Sequence, residues 1–209
     1  MRTNDWFYFI QALDKNTCKK IRKVAKNKWE CGTVNKKKGI TPKERITGEP
    51  QIYGVNKNKR ISDVVWTNDQ WVYDVIWPIM LEANERAGWK YDIRFAESMQ
   101  IARYKKGGFY KFHRDGASDN LSTYNEPENK FKHGYVRKLS MGILLNDSYE
   151  GGEFQFAVYN GEKCEIHTPE VSKTGSVVVF PSGMEHRVTP VTKGIRYSLV
   201  AWFVGPPFR

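Results

Sequence analysis

Apolar residues at Cys18, Ile21, Val24 and Ala25 recur every three or four positions between Asn16 and Lys28, with lysines between them. That spacing lays one apolar stripe along a helix, and Asn16 or Thr17 is placed to cap it. Residues 31–66 are broken by Gly and Lys clusters and predict loops, with one or two short strands such as PQIYGV. TNDQ at 67–70 has the form of a capping box, with Thr67 as N-cap and Gln70 three positions on. It opens a helix through WVYDVIWPIMLEANERAG, kinked at Pro78 and stopped at Gly88.

Beyond Gly88 the period changes from helix to strand. YDIRFAESMQIARY reads as β, KKGG as a turn, and FYKFHRD as a short strand. LSMGILLN is a buried strand followed by the turn DSYEGG, and EFQFAVYNGEKCEIH is a hairpin turning at Asn160-Gly161. SVVVF and RYSLVAWFV complete the set. Residues 116–136 are polar and poor in aliphatics, a loop long enough to serve as a lid. Closely spaced strands with few helices predict a mainly β, α+β chain: an antiparallel sandwich or barrel with helices packed outside it. No internal repeat is visible.

Composition narrows the setting. The 209 residues can bury a sizeable core. Three cysteines (Cys18, Cys31, Cys164), with no C-x-x-C pair, form neither a disulfide framework nor a zinc knuckle. They suit a reducing compartment. MRTNDWFYFI lacks the apolar run of a signal peptide, and no stretch could span a bilayer, so a cytoplasmic location without membrane attachment is expected. The formal charge of +11 is lopsided: residues 1–66 hold 16 of the 34 Lys/Arg but 6 of the 23 Asp/Glu. Such a surface attracts nucleic acid, an acidic protein or an anionic membrane, or simply solubilises the chain.

Candidate chemistry begins at YKFHRDGAS. His113 and Asp115, at i and i+2 of a strand, would face the same way. A lone H-x-D is common by chance, so a further ligand is needed. His133 lies in the polar loop and His167 at the end of a hairpin strand, both expected at the surface. His186 lies between two apolar strands, where a fold presents chemistry from a rigid base. Two imidazoles and one carboxylate make the facial triad of a non-haem Fe(II) oxygenase; a catalytic zinc remains open on ligand type. Arg196 and Ser198 follow on the next strand, on one face, a guanidinium and hydroxyl suited to a carboxylate.

With these residues in hand, the stretch from Gln100 to Trp202 resembles the iron- and 2-oxoglutarate-dependent dioxygenases, in particular the prolyl 4-hydroxylase branch and its bacterial and phage PKHD-type hydroxylases. QIARYKKGGFYKFHRD, LSMGILLND, EGGEF and GSVVVFPSGMEHRVTPVTKGIRYS carry the likeness, with Trp202 trailing. The resemblance implies one dioxygenase domain over 1–209, with 1–90 a helical, basic support region and 91–209 a double-stranded β-helix (jelly-roll, cupin-like) catalytic core. His113 and Asp115 would lie on its first core strands and His186 on a later one, together holding Fe(II). Arg196, helped by Ser198 and Tyr104, would seat the distal carboxylate of 2-oxoglutarate. Leu144 stands where many prolyl hydroxylases carry a tyrosine for that purpose. O₂ and 2-oxoglutarate would give succinate, CO₂ and a hydroxylated C–H bond, with ascorbate as a further cofactor.

The same resemblance places Tyr110, Arg137 and Trp202 against the substrate, and the loop with Tyr124, Phe131 and Tyr135 over it. It implies hydroxylation of proline in a peptide or protein, as in the procollagen-type enzymes. Two alternatives stand beside it. An oxidative nucleic-acid demethylase of the same fold would use the basic N-terminal third, although such relatives carry a second arginine where this chain has Trp202. A metal-binding, cupin-like module without turnover would keep the shell alone.

Overall fold

Along Arg196–Gly205 the side chains alternate between two surroundings: Leu199, Ala201 and Phe203 enter the main apolar core, while Arg196, Ser198, Val200 and Trp202 line a cavity on the opposite side. This period-two division organises the whole molecule. The computed structural model describes residues 4–26, 28–35, 53–116, 123–129 and 132–208. In chain order the elements are β1 (Phe7–Phe9), α1 (Lys15–Val24), β2 (Glu30–Cys31), β3 (Val34–Asn35), β4 (Tyr53–Gly54), β5 (Arg60–Ile61), β6 (Asp63–Thr67) and α2 (Gln70–Arg86). Then follow β7 (Phe95–Ala96), β8 (Met99–Tyr104), β9 (Phe109–His113), β10 (Val136–Leu144), β11 (Tyr149–Gly151) and β12 (Phe154–Asn160). The last are β13 (Lys163–His167), β14 (Val177–Pro181), β15 (Glu185–Val188), β16 (Val191–Gly194) and β17 (Arg196–Gly205).

The major sheet runs β1-β14-β10-β17-β8-β6-β2, with β7 added beside β17; the minor sheet runs β13-β12-β15-β9-β5. All recorded pairings are antiparallel. One face of the major sheet packs on Ile21 of α1 and on Val72, Ile76 and Met80 of α2. Its other face meets the minor sheet through two clusters, Val178 and Phe180 against Phe156, and Ala102 and Tyr104 against Val188. β14 is apolar throughout because it is covered on both sides.

Several expectations are corrected locally. The first helix is capped two residues before Asn16 and three before Thr17: Asp14 accepts from the Asn16 and Thr17 N–H groups at 2.7 and 2.9 Å, and Thr17 Oγ1 donates to its other oxygen. The capping box does not form. Thr67 ends β6 and accepts from the Asp69 N–H, while Gln70 begins the helix and donates to Asp74. α2 continues through Pro78, and Gly88 follows its end with φ of +79°, the left-handed conformation that glycine adopts without strain. The β12–β13 hairpin pairs Asn160 with Lys163, so Gly161 and Glu162 make its turn. Of PQIYGV, residues 50–52 lie outside the described residues, and Tyr53–Gly54 pairs with Val34–Asn35. The N-terminal ninety residues also supply strands to both sheets, β1, β2 and β6 to the major and β5 to the minor.

Candidate metal centre and its cavity

His113 closes β9, and His186 is the second residue of the neighbouring β15, directly opposite it in register. Asp115 lies beyond β9 rather than within a strand. Its N–H donates to Ser182 O at 3.0 Å, which turns the chain so that the carboxylate faces both rings. Nε2 of His186 is 3.6 Å from Asp115 Oδ2, and Nε2 of His113 is 3.8 Å from Oδ1. One donor atom from each of the three lies within 4.8 Å of the others.

Both imidazoles are oriented from behind. Nδ1 of His113 reaches Lys111 O at 2.8 Å and Nδ1 of His186 reaches Met184 O at 2.9 Å. A carbonyl only accepts, so each Nδ1 carries the proton and each Nε2 keeps its lone pair for a metal. Burial, reinforced by the adjacent His186, pushes His113 down to about 3, so this ring is neutral and ready to ligate. Burial would raise Asp115, but the two imidazoles, Arg137 and the Ser140 hydroxyl outweigh it, and the carboxyl sits below its ordinary value. Asp115 Oδ2 is buried without a hydrogen-bond partner among the described residues. A cation at this point would satisfy it, and an N₂O donor set without thiolate fits Fe(II). Phe154, Phe156 and Phe180 wall His186 at ring-centroid distances of 5.5, 6.5 and 4.8 Å.

The triad opens into a cavity of about 690 Å³. Arg196, 6% exposed, projects into it from β17 and donates from Nη1 to Ser198 Oγ at 3.0 Å. Its Nε has no partner, and its guanidinium sits 5.6 Å from the ring centre of Tyr104 on the paired strand. A buried guanidinium without a carboxylate among the described residues is an anion site. Gly152 makes room for it: at φ of +63°, a Cβ there would lie 3.0 Å from Arg196 Cδ. Leu144 pairs with Ser198 and is buried, but it does not line the cavity.

Tyr110, Arg137 and Trp202 all line the cavity. Tyr110 stacks on His113, and Arg137 lies 4.5 Å from the Trp202 ring centre. Burial pushes the Tyr110 phenol up to about 12, so it remains a donor. Of the lid, residues 117–122 and 130–131, including Phe131, lie outside the described residues. The Tyr124 N–H donates to Tyr135 O, the Gly134 N–H donates to Tyr124 O, and the Tyr124 hydroxyl donates to Glu97 Oε1 at 2.8 Å. His133 and His167 stand apart from the triad; His133 is exposed and the His167 ring lies 5.6 Å from that of Trp6, tilted by 48°.

Sequence reasoning missed three cavity residues. Glu97 accepts both arms of Arg137, at 2.6 and 2.9 Å, fixing that guanidinium. Arg60 on β5 enters from the N-terminal third, and Trp66 on β6 lies 5.8 Å from Trp202, ring to ring. The β-branched pair Val64-Val65 before Trp66 was the only local strand signal here.

A sequence profile described as the 2OG-Fe(II) oxygenase superfamily matches residues 99–204. A PKHD-type hydroxylase of Synechococcus sp. (strain CC9902) is 35% identical over 112 residues, which are 53% of this chain and 42% of that protein. The match thus spans less than half of that relative. A Pseudomonas putida prolyl-4-hydroxylase structure aligns with a TM-score of 0.63 at 19% identity, covering 96% of this chain and 92% of that one. A Trichoplax adhaerens prolyl hydroxylase, solved with a hypoxia inducible factor oxygen degradation domain peptide fragment, gives 0.65 at 15% identity, covering 96% and 84%. At such identities the likeness is one of fold, the double-stranded β-helix. The profile covers half of the chain, including the triad, Arg196 and Ser198, and the chain belongs to the 2OG-Fe(II) oxygenase superfamily.

Proposed function

We propose that this chain is an Fe(II)- and 2-oxoglutarate-dependent hydroxylase of PKHD type that acts on proline within a peptide or protein, at C4 of the ring. The observation that carries the reading is one cavity containing both the His113-Asp115-His186 cluster and the carboxylate-free guanidinium of Arg196. His113, Asp115 and His186 would hold iron, and Arg196, Ser198 and Tyr104 would receive the distal carboxylate of 2-oxoglutarate. Bound iron, with 2-oxoglutarate and O₂, supplies the oxidising power for hydroxylating an unactivated C–H bond, and ascorbate would keep it ferrous.

The chain's own task is placement and dryness. The phenylalanine wall behind His186 keeps water from the ligands, and Tyr110, Arg137 and Trp202 offer a donor, a fixed cation and an aromatic face for the substrate. The prolyl hydroxylase folds among the neighbours, one of them with a peptide bound, support a peptide substrate. The test is incubation of purified protein with Fe(II), 2-oxoglutarate and proline-rich peptides. A product heavier by one oxygen, with matching succinate, supports the reading. Succinate at the peptide-free rate, with unmodified peptide, contradicts it, and turnover of a methylated base would instead favour the demethylase.

A further inference from the structure

We propose that Arg60 forms a second anion subsite in the cavity and selects substrates carrying a carboxylate close to the reacting residue. This rests on the hydroxylase reading above and names a property of its substrate.

Arg60 is 6% exposed yet lines the cavity. Among the described residues its hydrogen bonds all go to neutral groups: Nη2 donates to Gln100 Oε1 at 2.7 Å, Nε to Ser62 Oγ at 2.7 Å, and Nη1 to Thr33 O at 3.5 Å. Its guanidinium lies 4.6 Å from the ring centre of Tyr110, which stacks on His113. The position is built, since a Cβ on Gly32 would come within 2.7 Å of Arg60 Nε.

The other buried charges of the cavity have partners, while Arg114 at its lining is exposed to solvent. Arg137 is held by Glu97, and Lys132 lies between Glu97 and Glu126. Arg196 would be matched by the co-substrate's carboxylate and Asp115 by iron. Among the buried cations that line the cavity, Arg60 is the one left without an anion, among the described residues, once Arg137 and Arg196 are matched in this way. Such a charge is costly to bury; a ligand carboxylate that reached its free N–H groups would recover much of that cost as affinity. The guanidinium fork favours a planar carboxylate.

The experiment uses capped peptides in matched pairs, with Glu or Gln next to a central proline, and a third form carrying a free C-terminal carboxylate instead. Affinities are measured by calorimetry on the full chain with Fe(II) and 2-oxoglutarate under argon, for wild type, Arg60→Gln and Gln100→Glu. Gln100→Glu keeps Arg60 but gives it an internal anion, so it tests the charge even if Arg60→Gln folds poorly. Wild type is expected to bind Glu peptides about tenfold more tightly than their Gln twins, the worth of one charge-assisted hydrogen bond. Both variants should erase the difference. A gain confined to the free C-terminus would place the carboxylate at a chain end rather than a side chain. Equal affinity across each pair, a preference that persists in Gln100→Glu, or no binding by any carboxylate-bearing peptide would overturn the proposal. The same pairs with alanine for proline separate the two readings. A Glu preference that depends on Arg60, with no oxygen added to any proline peptide, retains the subsite and removes prolyl hydroxylation. Hydroxylated proline peptides without the preference do the reverse.

Discussion

Tyr110 lies flat on His113, with ring centroids 3.5 Å apart and planes inclined by 15°, although the two are three residues apart on one strand. In a regular strand they would face opposite sides. The register explains the contact: His113 pairs with His186 and Tyr110 with Val188, three steps on β9 against two on β15. That extra residue is a β-bulge, which turns both rings to the cavity. Tyr110→Ala should therefore loosen His113 and lower iron affinity about tenfold, the lower end of what supporting residues contribute. Metal titration of the purified variant measures it.

Replacing His113, Asp115 or His186 by Ala removes a candidate ligand instead of its support. Each variant should lose iron by more than about 100-fold in affinity, beyond the range for supporting residues, together with turnover. Metal analysis after gel filtration, with thermal melting to establish folding, checks this.

Arg196→Ala should retain iron but lose 2-oxoglutarate. Removing one partner of a buried charge pair costs about 2–5 kcal/mol, so the dissociation constant should rise at least about 30-fold. Arg196→Lys should recover part of it, without the fork. Unchanged co-substrate affinity in Arg196→Ala would reject the clamp.

Gly152→Ala should resemble a mild form of that variant. Its Cβ would press on Val191 Cγ2 at 2.9 Å as well as on Arg196, and the backbone there is left-handed. The KM for 2-oxoglutarate should rise with little change in iron content.

Glu97 governs an acid limb of stability. Burial raises its carboxyl, but Arg137, Lys132 and the Tyr124 hydroxyl outweigh that and hold it below its ordinary value of 4.5. The folded protein thus releases this proton more readily than the unfolded chain. The stabilisation is complete above about pH 4.5 and is lost as the pH falls further and Glu97 protonates. Glu97→Gln strands Arg137 and should cost about 3–5 kcal/mol near neutrality, with the gap to wild type closing below pH 4.5. Denaturant melts across pH measure both.

The chemistry was legible where it is local. H-x-D, the isolated His186 between apolar strands, and Arg196 with Ser198 at period two each needed only short-range pattern, and the structure gathers all of them around one cavity. Glu97 and Arg60 were not legible. Each is an ordinary charged residue until the fold sets it beside Arg137 or Tyr110, forty and fifty positions away respectively. Tyr110 was placed by resemblance, while the bulge that brings it onto His113 has no marker in FYKFH. β1 and β6 escaped because three- and five-residue strands carry little periodicity. The Asp14 cap was missed by two or three residues because Asn16 and Thr17 offer the same chemistry to the same helix end.

The strands β1 and β6 complete the borders of a sheet whose centre is matched by the family profile. A fragment beginning at residue 91 would bare the backbone of β8 and β14 to any passing chain, and it would gain a tendency to clump before it lost a single candidate metal ligand. It would also lack Arg60 and Trp66. On the proposed reading, changes in the first third would alter the cavity wall offered to the substrate, while the residues proposed to hold iron and 2-oxoglutarate all lie in the second half.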